Sequence, residues 1–219
     1  MRRAYWMVVP CLVLMSAACV DIVAFGGVQG SGVSKSEQRS LAPFNAIGLA
    51  GSADVRVTIA EKQSVAVEGD DNILPLIETS VASGKLEIST KTPYSSRIGV
   101  TVTITVPALD SVGVAGSGDV SVTGLDAESF VASVAGSGVV RATGKARRVE
   151  AKVAGSGDID FSELKAAEAS AAVTGSGDIR IHATDSLSAS VTGSGDISYS
   201  GTPKNVSRNV LGSGDVRPD

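Results

Sequence analysis

The residues best placed for chemistry in this 219-residue chain are five aspartates that recur at nearly constant spacing. They follow Gly-Ser-Gly triplets, and they are Asp119, Asp158, Asp178, Asp196 and Asp215. Stacked carboxylates about 5 Å apart repel, so each is either hydrogen-bonded to turn amides or shares a cation with its neighbours. Val139 replaces the aspartate in one copy, which a Ca²⁺ ladder should not tolerate. The pattern favours turn capping by these side chains, and Ca²⁺ binding is the alternative.

His182 is the only histidine of the chain. It has no nearby cysteine or paired acid that would suggest a metal site or a nucleophile relay. Because it follows the apolar residue Ile181 at an outward position, we expect a solvated side chain with no chemical role. The many serines lack a second histidine or a nucleophile elbow, and are predicted to be turn and surface residues. The sequence therefore predicts no catalytic residue and no cofactor, and a protein that is not an enzyme.

The first 18 residues have the pattern of an export signal. Arg2 and Arg3 precede an apolar run over residues 4–14, which is too short for a membrane span. Small residues before Cys19 suit a signal peptidase, and Ala-Ala-Cys resembles the end of a lipobox, in which Cys19 would carry lipid. A serine stands where a lipobox usually has Leu, Val or Ile, so secretion without lipid is the alternative.

Both cysteines, Cys11 and Cys19, lie in or at the edge of this signal, so no disulfide is expected inside the mature domain. Cleavage removes two of the 19 basic residues and none of the 23 acidic ones, which leaves a net charge of −6. A mildly acidic exported domain without a basic run argues against a nucleic-acid partner. Residues 19–40, rich in Gly, Ser and Val without a lasting period, are predicted to form a flexible tether. The expected location is the periplasm, the outer membrane or the cell surface, with membrane contact only through lipid on Cys19.

A Gly-Ser-Gly triplet recurs six times, at steps of 20, 19, 20, 18 and 19 residues. A sharp corner needs a positive φ, which glycine adopts at the lowest cost. The predicted turn glycines are Gly116 and Gly118, Gly136 and Gly138, Gly155 and Gly157, Gly175 and Gly177, Gly193 and Gly195, and Gly212 and Gly214.

Aligned on this turn, the repeats alternate between apolar and polar positions as β-strands do. The apolar columns on either side of the turn are Val114, Val134, Val153, Val173, Val191 and Val210, and Val120, Val140, Ile159, Ile179, Ile197 and Val216. Phe130, Phe161 and Tyr199 also fall at inward positions. A repeat this short cannot bury its own apolar face, whereas coils stacked at about 4.8 Å form a continuous core. The sequence therefore predicts an all-β fold, a right-handed parallel β-helix (β-solenoid) with coils of about 19 residues.

The predicted β-helix occupies residues 41–219 as a single domain, with irregular coils over 41–110 and regular repeats over 111–219. Residues 71–80 break the alternation and are expected to form a short helix or loop that covers the N-terminal end. At the other end, Arg208 in a core column and Pro218 after the last strand are expected to stop growth of the stack.

The outward positions carry one predicted charge pattern. Asp160 lies one coil from Arg141 and one coil from Arg180, which predicts an alternating-charge ladder on the face of the sheet. Such exposed pairs contribute tenths of a kcal/mol, so the ladder would set register more than stability.

The chain resembles the putative auto-transporter adhesin, head GIN domain family of bacterial exported proteins. The resemblance rests on Phe44-Asn45-Ala46-Ile47 leading into Gly51-Ser52-Ala53-Asp54-Val55, on Val65-Ala66-Val67-Glu68-Gly69-Asp70-Asp71-Asn72, on Gly84-Lys85-Leu86-Glu87-Ile88, and on the repeated Gly-Ser-Gly-Asp turns. It covers roughly Phe44 to the C-terminus. It implies a β-helical fold, an envelope or surface location, commonly as a lipoprotein, and no established catalytic residue.

These observations predict a non-catalytic envelope scaffold or adhesin that presents flat faces to a protein or glycan partner. Two alternatives stay open. One is a polysaccharide-active β-helix enzyme that uses acids between Glu61 and Glu87, and the other is a Ca²⁺-stabilised adhesive solenoid.

Overall fold

The computed structural model describes residues 27–219. The predicted signal peptide (residues 1–18), Cys11 and the candidate lipidation site Cys19 lie outside the described residues. Within 27–219, no helix has the length and apolar character needed to span a bilayer.

The described chain is almost entirely β-strand. The strands are β1 (Val28–Gln29), β2 (Ser34–Gln38), β3 (Ala46–Gly51), β4 (Asp54–Ile59), β5 (Ser64–Asp70), β6 (Ile77–Ala82), β7 (Lys85–Thr90), β8 (Tyr94–Ser95), β9 (Thr101–Val106), β10 (Ser111–Gly116), β11 (Val120–Gly136), β12 (Val139–Gly155), β13 (Asp158–Gly175), β14 (Ile179–Gly193), β15 (Ile197–Ser200), β16 (Asn205–Gly212) and β17 (Val216–Pro218). A 3-10 helix at Leu74–Leu76 lies between β5 and β6.

Successive coils stack as parallel strands in the register set by the turns. Gly116 pairs with Gly51 on one side and with Gly136 on the other, and Gly155 pairs with Gly175 in the same way. The strands that lead into the turn form a first wall of β3, β10, the second halves of β11 to β14, and β16. The strands that follow the turn form a second wall. The predicted β-solenoid is confirmed, because each coil hydrogen-bonds to the equivalent coil before and after it.

The apolar columns meet between the two walls. Val134, Val153 and Val173 are each at most 2% exposed, as are their counterparts after the turn, such as Val140 and Ile159. Alternate residues of each strand therefore point inward, and the others point to solvent.

The aromatic side chains of the regular coils lie in this core, as predicted. Phe130 and Phe161 are fully buried with ring centroids 5.8 Å apart, and Tyr199 is 7% exposed. Rings at this separation fill the space between walls otherwise lined by small aliphatic side chains.

The N-terminal coils are irregular because antiparallel strands join the stack. β5 runs antiparallel to β9, and β6 and β7 form an antiparallel hairpin beside β3. The break predicted over residues 71–80 contains the 3-10 helix, and β6 begins at Ile77. Ile73 and Leu74 are fully buried, so this segment covers the N-terminal end of the core.

The prediction of a flexible tether over residues 19–40 is wrong for its described part. β2 pairs antiparallel with β5 along Ser34–Gln38, and β1 pairs parallel with β8. The side chains of β2 are mostly exposed, so the strand shows no apolar period in the sequence. Its position is fixed by backbone hydrogen bonds to the edge of β5, which composition does not reveal.

The C-terminal end is formed by β16 and β17, which pair with β14 and β15 respectively. Arg208 is in register with Ala189 of the core column, and its guanidinium lies 5.3 Å from the centre of the Tyr199 ring. It also donates a hydrogen bond to the Tyr199 hydroxyl. Every residue of β16 is exposed, which makes this the open end of the stack.

Candidate functional site

Each Gly-Ser-Gly turn, here called a corner, is held by one backbone carbonyl that accepts hydrogen bonds from two amides. The N–H groups of Ser176 and Gly177 both donate to the carbonyl oxygen of Gly155 in the preceding coil, at 2.8 and 3.2 Å. The same pair of bonds recurs from Ser137 and Gly138 to Gly116, and at the other corners. Corners therefore stack directly on one another with no side chain between them.

The two glycines of each triplet have different reasons to be glycine. Gly175 has a φ of +130°, in the region that favours glycine. Gly177 has no such φ, but a Cβ there would overlap the carbonyl oxygen of Gly157 below it. The predicted reason, a positive φ, applies only to the first glycine, and close approach of the coils explains the second.

The aspartate after each corner binds the backbone of the next coil. One carboxylate oxygen of Asp158 accepts the N–H of Asp178, Asp178 accepts that of Asp196, and Asp196 accepts that of Asp215, each at 2.9 Å. Asp119 accepts the N–H of Val139 at 3.0 Å. These bonds form the aspartate ladder of the molecule. The carboxylates cap backbone amides, as predicted, but the amides belong to the next coil and not to the aspartate's own turn.

The interruption of the ladder and its C-terminal end are satisfied by other backbone bonds. Val139 has no carboxylate, and the N–H of Asp158 donates to the carbonyl oxygen of Gly138 instead, at 3.1 Å. Asp215 has no further coil to cap and accepts the N–H of Val216 at 2.8 Å. A missing carboxylate therefore leaves no unpaired amide at this corner.

The remaining carboxylate oxygens of the ladder contact cationic side chains at its two ends. Asp119 lies 3.8 Å from Arg141, and Asp196 lies 3.2 Å from Arg217. Residues 27–219 contain no group of three or more His, Cys, Asp or Glu side chains that could hold a metal ion. The ladder thus provides backbone capping and ion pairs rather than a converging set of oxygen ligands.

His182 is half-buried, and its Nδ1 lies 3.0 Å from the hydroxyl of Ser200 in the next coil. It is in register with Lys165 of the preceding coil. The predicted outward position is correct, but the ring is packed between coils instead of fully solvated.

The predicted charge ladder has the right register but lacks its ion pairs. Asp160 is directly opposite Arg141 and Arg180 in the neighbouring coils. Its carboxylate instead accepts hydrogen bonds from the backbone and hydroxyl of Ser162, at 3.1 and 2.7 Å. A local turn bond thus competes successfully with exposed cross-strand pairing, which is weak.

A charged network lies at the bend opposite the corner. Arg147 contacts Glu128 at 2.5 Å and Glu168 at 3.3 Å, and Arg148 contacts Glu168 at 3.1 Å. The hydrogen bond that Arg147 donates to Glu128, together with the negative charges of Glu128 and Glu168, raises the pKa of the Arg147 guanidinium above its ordinary value. Open grooves of about 510 and 360 Å³ border this network. Each acid in the network is therefore paired with a basic side chain.

Several of the acids proposed for a glycan-active enzyme are engaged in other contacts. Glu78 pairs with Lys91 at 3.3 Å, and Glu87 pairs with Lys85 at 2.6 Å. Asp71 accepts a hydrogen bond from the hydroxyl of Ser31.

Asp70 is a feature that sequence reasoning missed. It is fully buried, and it accepts hydrogen bonds from the Ser96 hydroxyl and from the backbone N–H groups of Gly32 and Arg97. The Ser96 bond, and then those amides, hold the pKa of the Asp70 carboxyl below its ordinary value despite the opposing effect of burial. Asp70 therefore clamps the N-terminal segment to the loop after β8. The available signal was the run Asp70-Asp71-Asn72 at the point where the strand pattern breaks.

The outer surface of the first wall carries mainly small side chains in its outermost column. We define the small-residue face by its outermost column, Ala50, Ala115, Ala135, Ala154, Thr174, Thr192 and Leu211, in which neighbours are paired in register and all are exposed. Seven strands at the usual spacing make this face about 29 Å long. A partner can approach the backbone closely along this column, and few long side chains would lose conformational entropy on binding.

Comparison with known proteins agrees with this architecture. A crystal structure of a putative adhesin from Bacteroides fragilis is 25% identical, covers 88% of this chain and 100% of its own, and superposes with a TM-score of 0.74. A putative adhesin and a putative lipid binding protein from Parabacteroides distasonis are 24% and 22% identical, with TM-scores of 0.58 and 0.59. Each covers 88% of this chain and 99% of its own, and these two likenesses show the fold. No curated protein sequence matches the chain.

The family description "putative auto-transporter adhesin, head GIN domain" matches residues 43–203, from the segment before β3 to the loop after β15. This span includes five of the six Gly-Ser-Gly corners and most of the small-residue face. The chain therefore belongs to the putative auto-transporter adhesin, head GIN domain family.

Proposed function

We propose that this protein is a non-catalytic adhesin-like solenoid of the bacterial envelope, which binds a protein or glycan partner through the small-residue face. The observation that carries the proposal is the in-register column from Ala50 to Leu211, which is exposed along its whole length. A rigid stack presents this area already ordered, so a partner meets little conformational cost there. Membership of a family described as adhesins supports the same role.

We further propose that the protein is anchored through its N-terminal segment, with lipid on Cys19. Asp70 and β2 fix residues 30–38 to the N-terminal end of the solenoid, which would hold the body firmly beside such an anchor. Mass spectrometry of the mature N-terminus tests this directly. A diacylglyceryl adduct on Cys19 is expected, and an unmodified N-terminus at or after residue 19 would refute lipidation.

The face is tested with a matched pair of double variants. Thr174→Arg with Thr192→Arg places two long cations side by side on the small-residue face. Thr58→Arg with Thr123→Arg does the same on the outer surface of the second wall, because these threonines are also exposed and paired in register.

Binding is measured on a glycan array and by attachment of beads coated with the protein to intact bacterial or host cells. The Thr174/Thr192 variant should lose binding while the Thr58/Thr123 variant keeps it, and circular dichroism should show that both are folded. Equal binding by the two variants would show that the small-residue face is not the contact surface.

A further inference from the structure

The C-terminal end of the solenoid carries an open strand edge. β16 pairs with β14 on one side, and no other described strand pairs with it on the other. Val206 and Val210 continue the core columns of Leu187 and Val191, yet they are 37% and 39% exposed. The end therefore presents unpaired backbone groups flanked by the uncovered edge of the core, which is a template for one more strand.

Arg208 lies at the centre of this edge, between the two valines, and has no carboxylate partner. Its polar contact is the Tyr199 hydroxyl, and none of the ion pairs within residues 27–219 includes it. The other basic residues of this last coil are paired: Lys204 with Asp185 at 3.1 Å, and Arg217 with Asp196 at 3.2 Å. The edge thus combines two apolar positions with one unmatched positive charge.

A second copy of the protein does not complement this edge. Two β16 strands related by a two-fold axis would be antiparallel, and the register that sets Val206 against Val210 also sets Arg208 against Arg208. The N-terminal end of another copy would offer β6, whose inward residues are Ile77, Thr79 and Val81. That strand supplies a threonine opposite Arg208, and its carboxylate, Glu78, lies at an outward position where it pairs with Lys91.

We propose that the C-terminal end binds an extended peptide segment of another protein by strand addition to β16. The segment carries an aspartate or glutamate opposite Arg208, with apolar residues two positions before and two positions after it. Backbone hydrogen bonds to β16 supply affinity, the apolar residues cover Val206 and Val210, and the carboxylate pairs with the guanidinium. This surface is distinct from the small-residue face and does not depend on that proposal.

The test uses two labelled heptapeptides, Thr-Val-Thr-Asp-Thr-Val-Thr and the same peptide with Lys in place of Asp, and fluorescence anisotropy with the purified protein. The native protein should bind the Asp peptide at least about tenfold more tightly than the Lys peptide, a modest difference for a complementary charge. The variant Arg208→Glu should reverse this preference. The matched control Arg217→Glu, which changes an outward arginine of the same coil, should keep the native preference.

The comparison of the two peptides on native protein is independent of whether Arg208→Glu folds. Equal affinity for both peptides, or binding of neither, overturns the proposal. The protein could instead self-associate through β16, with an association that rises with protein concentration and is not reduced by the Asp peptide. That result would assign the C-terminal end to a second copy and would also overturn the proposal. Reversal of the preference in Arg208→Glu, with an unchanged preference in Arg217→Glu, supports it.

Discussion

The different roles of the two corner glycines predict how alanine substitutions at one triplet will behave. Gly175, Ser176 and Gly177 are consecutive, and they differ in whether the backbone φ and the space around the Cβ restrict the residue type. Gly175 needs a φ of +130°, and a Cβ at either Gly175 or Gly177 would overlap the backbone of the coil below. Ser176 is exposed. Alanine scanning over three neighbouring positions therefore separates conformational strain from steric contact.

The expected magnitudes follow from these contacts. Gly177→Ala forces two coils apart in a packed stack, which costs about 1–3 kcal/mol of unfolding free energy. Gly175→Ala adds the strain of a positive φ, for a total of about 2–6 kcal/mol. Alanine also restricts the unfolded chain, which offsets about 0.4–1 kcal/mol in each case. Ser176→Ala should change the free energy of unfolding by no more than about 0.5 kcal/mol.

Gly124 isolates the conformational contribution. It has a φ of +79°, and no atom lies within 4 Å of the Cβ that alanine would add. Gly124→Ala should therefore cost only the strain, about 1–2 kcal/mol less the same offset. The predicted order of destabilisation is Gly175→Ala, then Gly177→Ala, then Gly124→Ala, with Ser176→Ala last.

The four variants are compared by urea unfolding followed by far-UV circular dichroism. Midpoints are the safer measure, because stacked repeats need not unfold in one step. If Gly177→Ala unfolds at the same urea concentration as Ser176→Ala, the coils do not approach as closely at the corner as the hydrogen bonds to Gly155 require. Close approach would then be the wrong explanation for the second glycine.

Three further outcomes are expected. Val153→Asp places an unpaired charge between the walls and should lower the free energy of unfolding by several kcal/mol, of the order found for isolated buried charges. Lys152→Asp beside it should leave the melting temperature nearly unchanged, and equal melting temperatures of the two variants would mean that the assignment of inward and outward columns is wrong. Asp70 has a lowered pKa when folded, so its contribution to stability is present above the ordinary carboxyl pKa and is lost as the pH falls through the folded value. The hydrogen-exchange protection factors of β2, which are corrected for the intrinsic pH dependence of amide exchange, should accordingly fall in acid, and Asp70→Asn should show low protection already at neutral pH; protection that is independent of both changes would contradict the clamp. Because the aspartate ladder caps backbone amides, a chelator should leave the melting temperature unchanged, whereas a marked drop would favour the Ca²⁺-stabilised solenoid.

The regular coils were predictable because one physical requirement repeats in them. Stacking places Val114, Val134 and Val153 at the same position of successive strands, so the same residue type recurs at each turn interval. The N-terminal strands lack that repetition. β5 and β9 are antiparallel, and their pairing depends on chain direction and edge availability rather than on any residue that can be aligned between coils. Alternation showed that they were strands but did not show which strands were neighbours.

The same distinction applies to the polar residues. The aspartates after the corners could be interpreted from the sequence as backbone caps because they repeat with the coil, although each caps an amide 18 to 20 residues away. Asp70 could not, because its donors Gly32 and Ser96 are 38 and 26 residues away and are brought together only by the fold. Asp160 shows the opposite error: the coil register predicted pairing with arginines, but Ser162 lies two residues away and competes at a lower entropic cost.

The two ends of the stack differ in a way that the repeat itself cannot dictate. Every internal coil has a neighbour on each side, so only the terminal coils must meet water or a partner with their strand edges. At the N-terminal end, Ile73 and Leu74 cover the core, and Asp70 fixes the preceding segment in place. At the C-terminal end, Val206 and Val210 are left partly exposed around Arg208. Any strand added to that end buries the Arg208 guanidinium and removes its hydrating water. A neutral strand leaves this desolvation free energy uncompensated, whereas a strand with a carboxylate at the matching position offsets it through the ion pair. A single charge in a core column therefore makes the open edge selective, where an apolar residue at position 208 would make it generally adhesive.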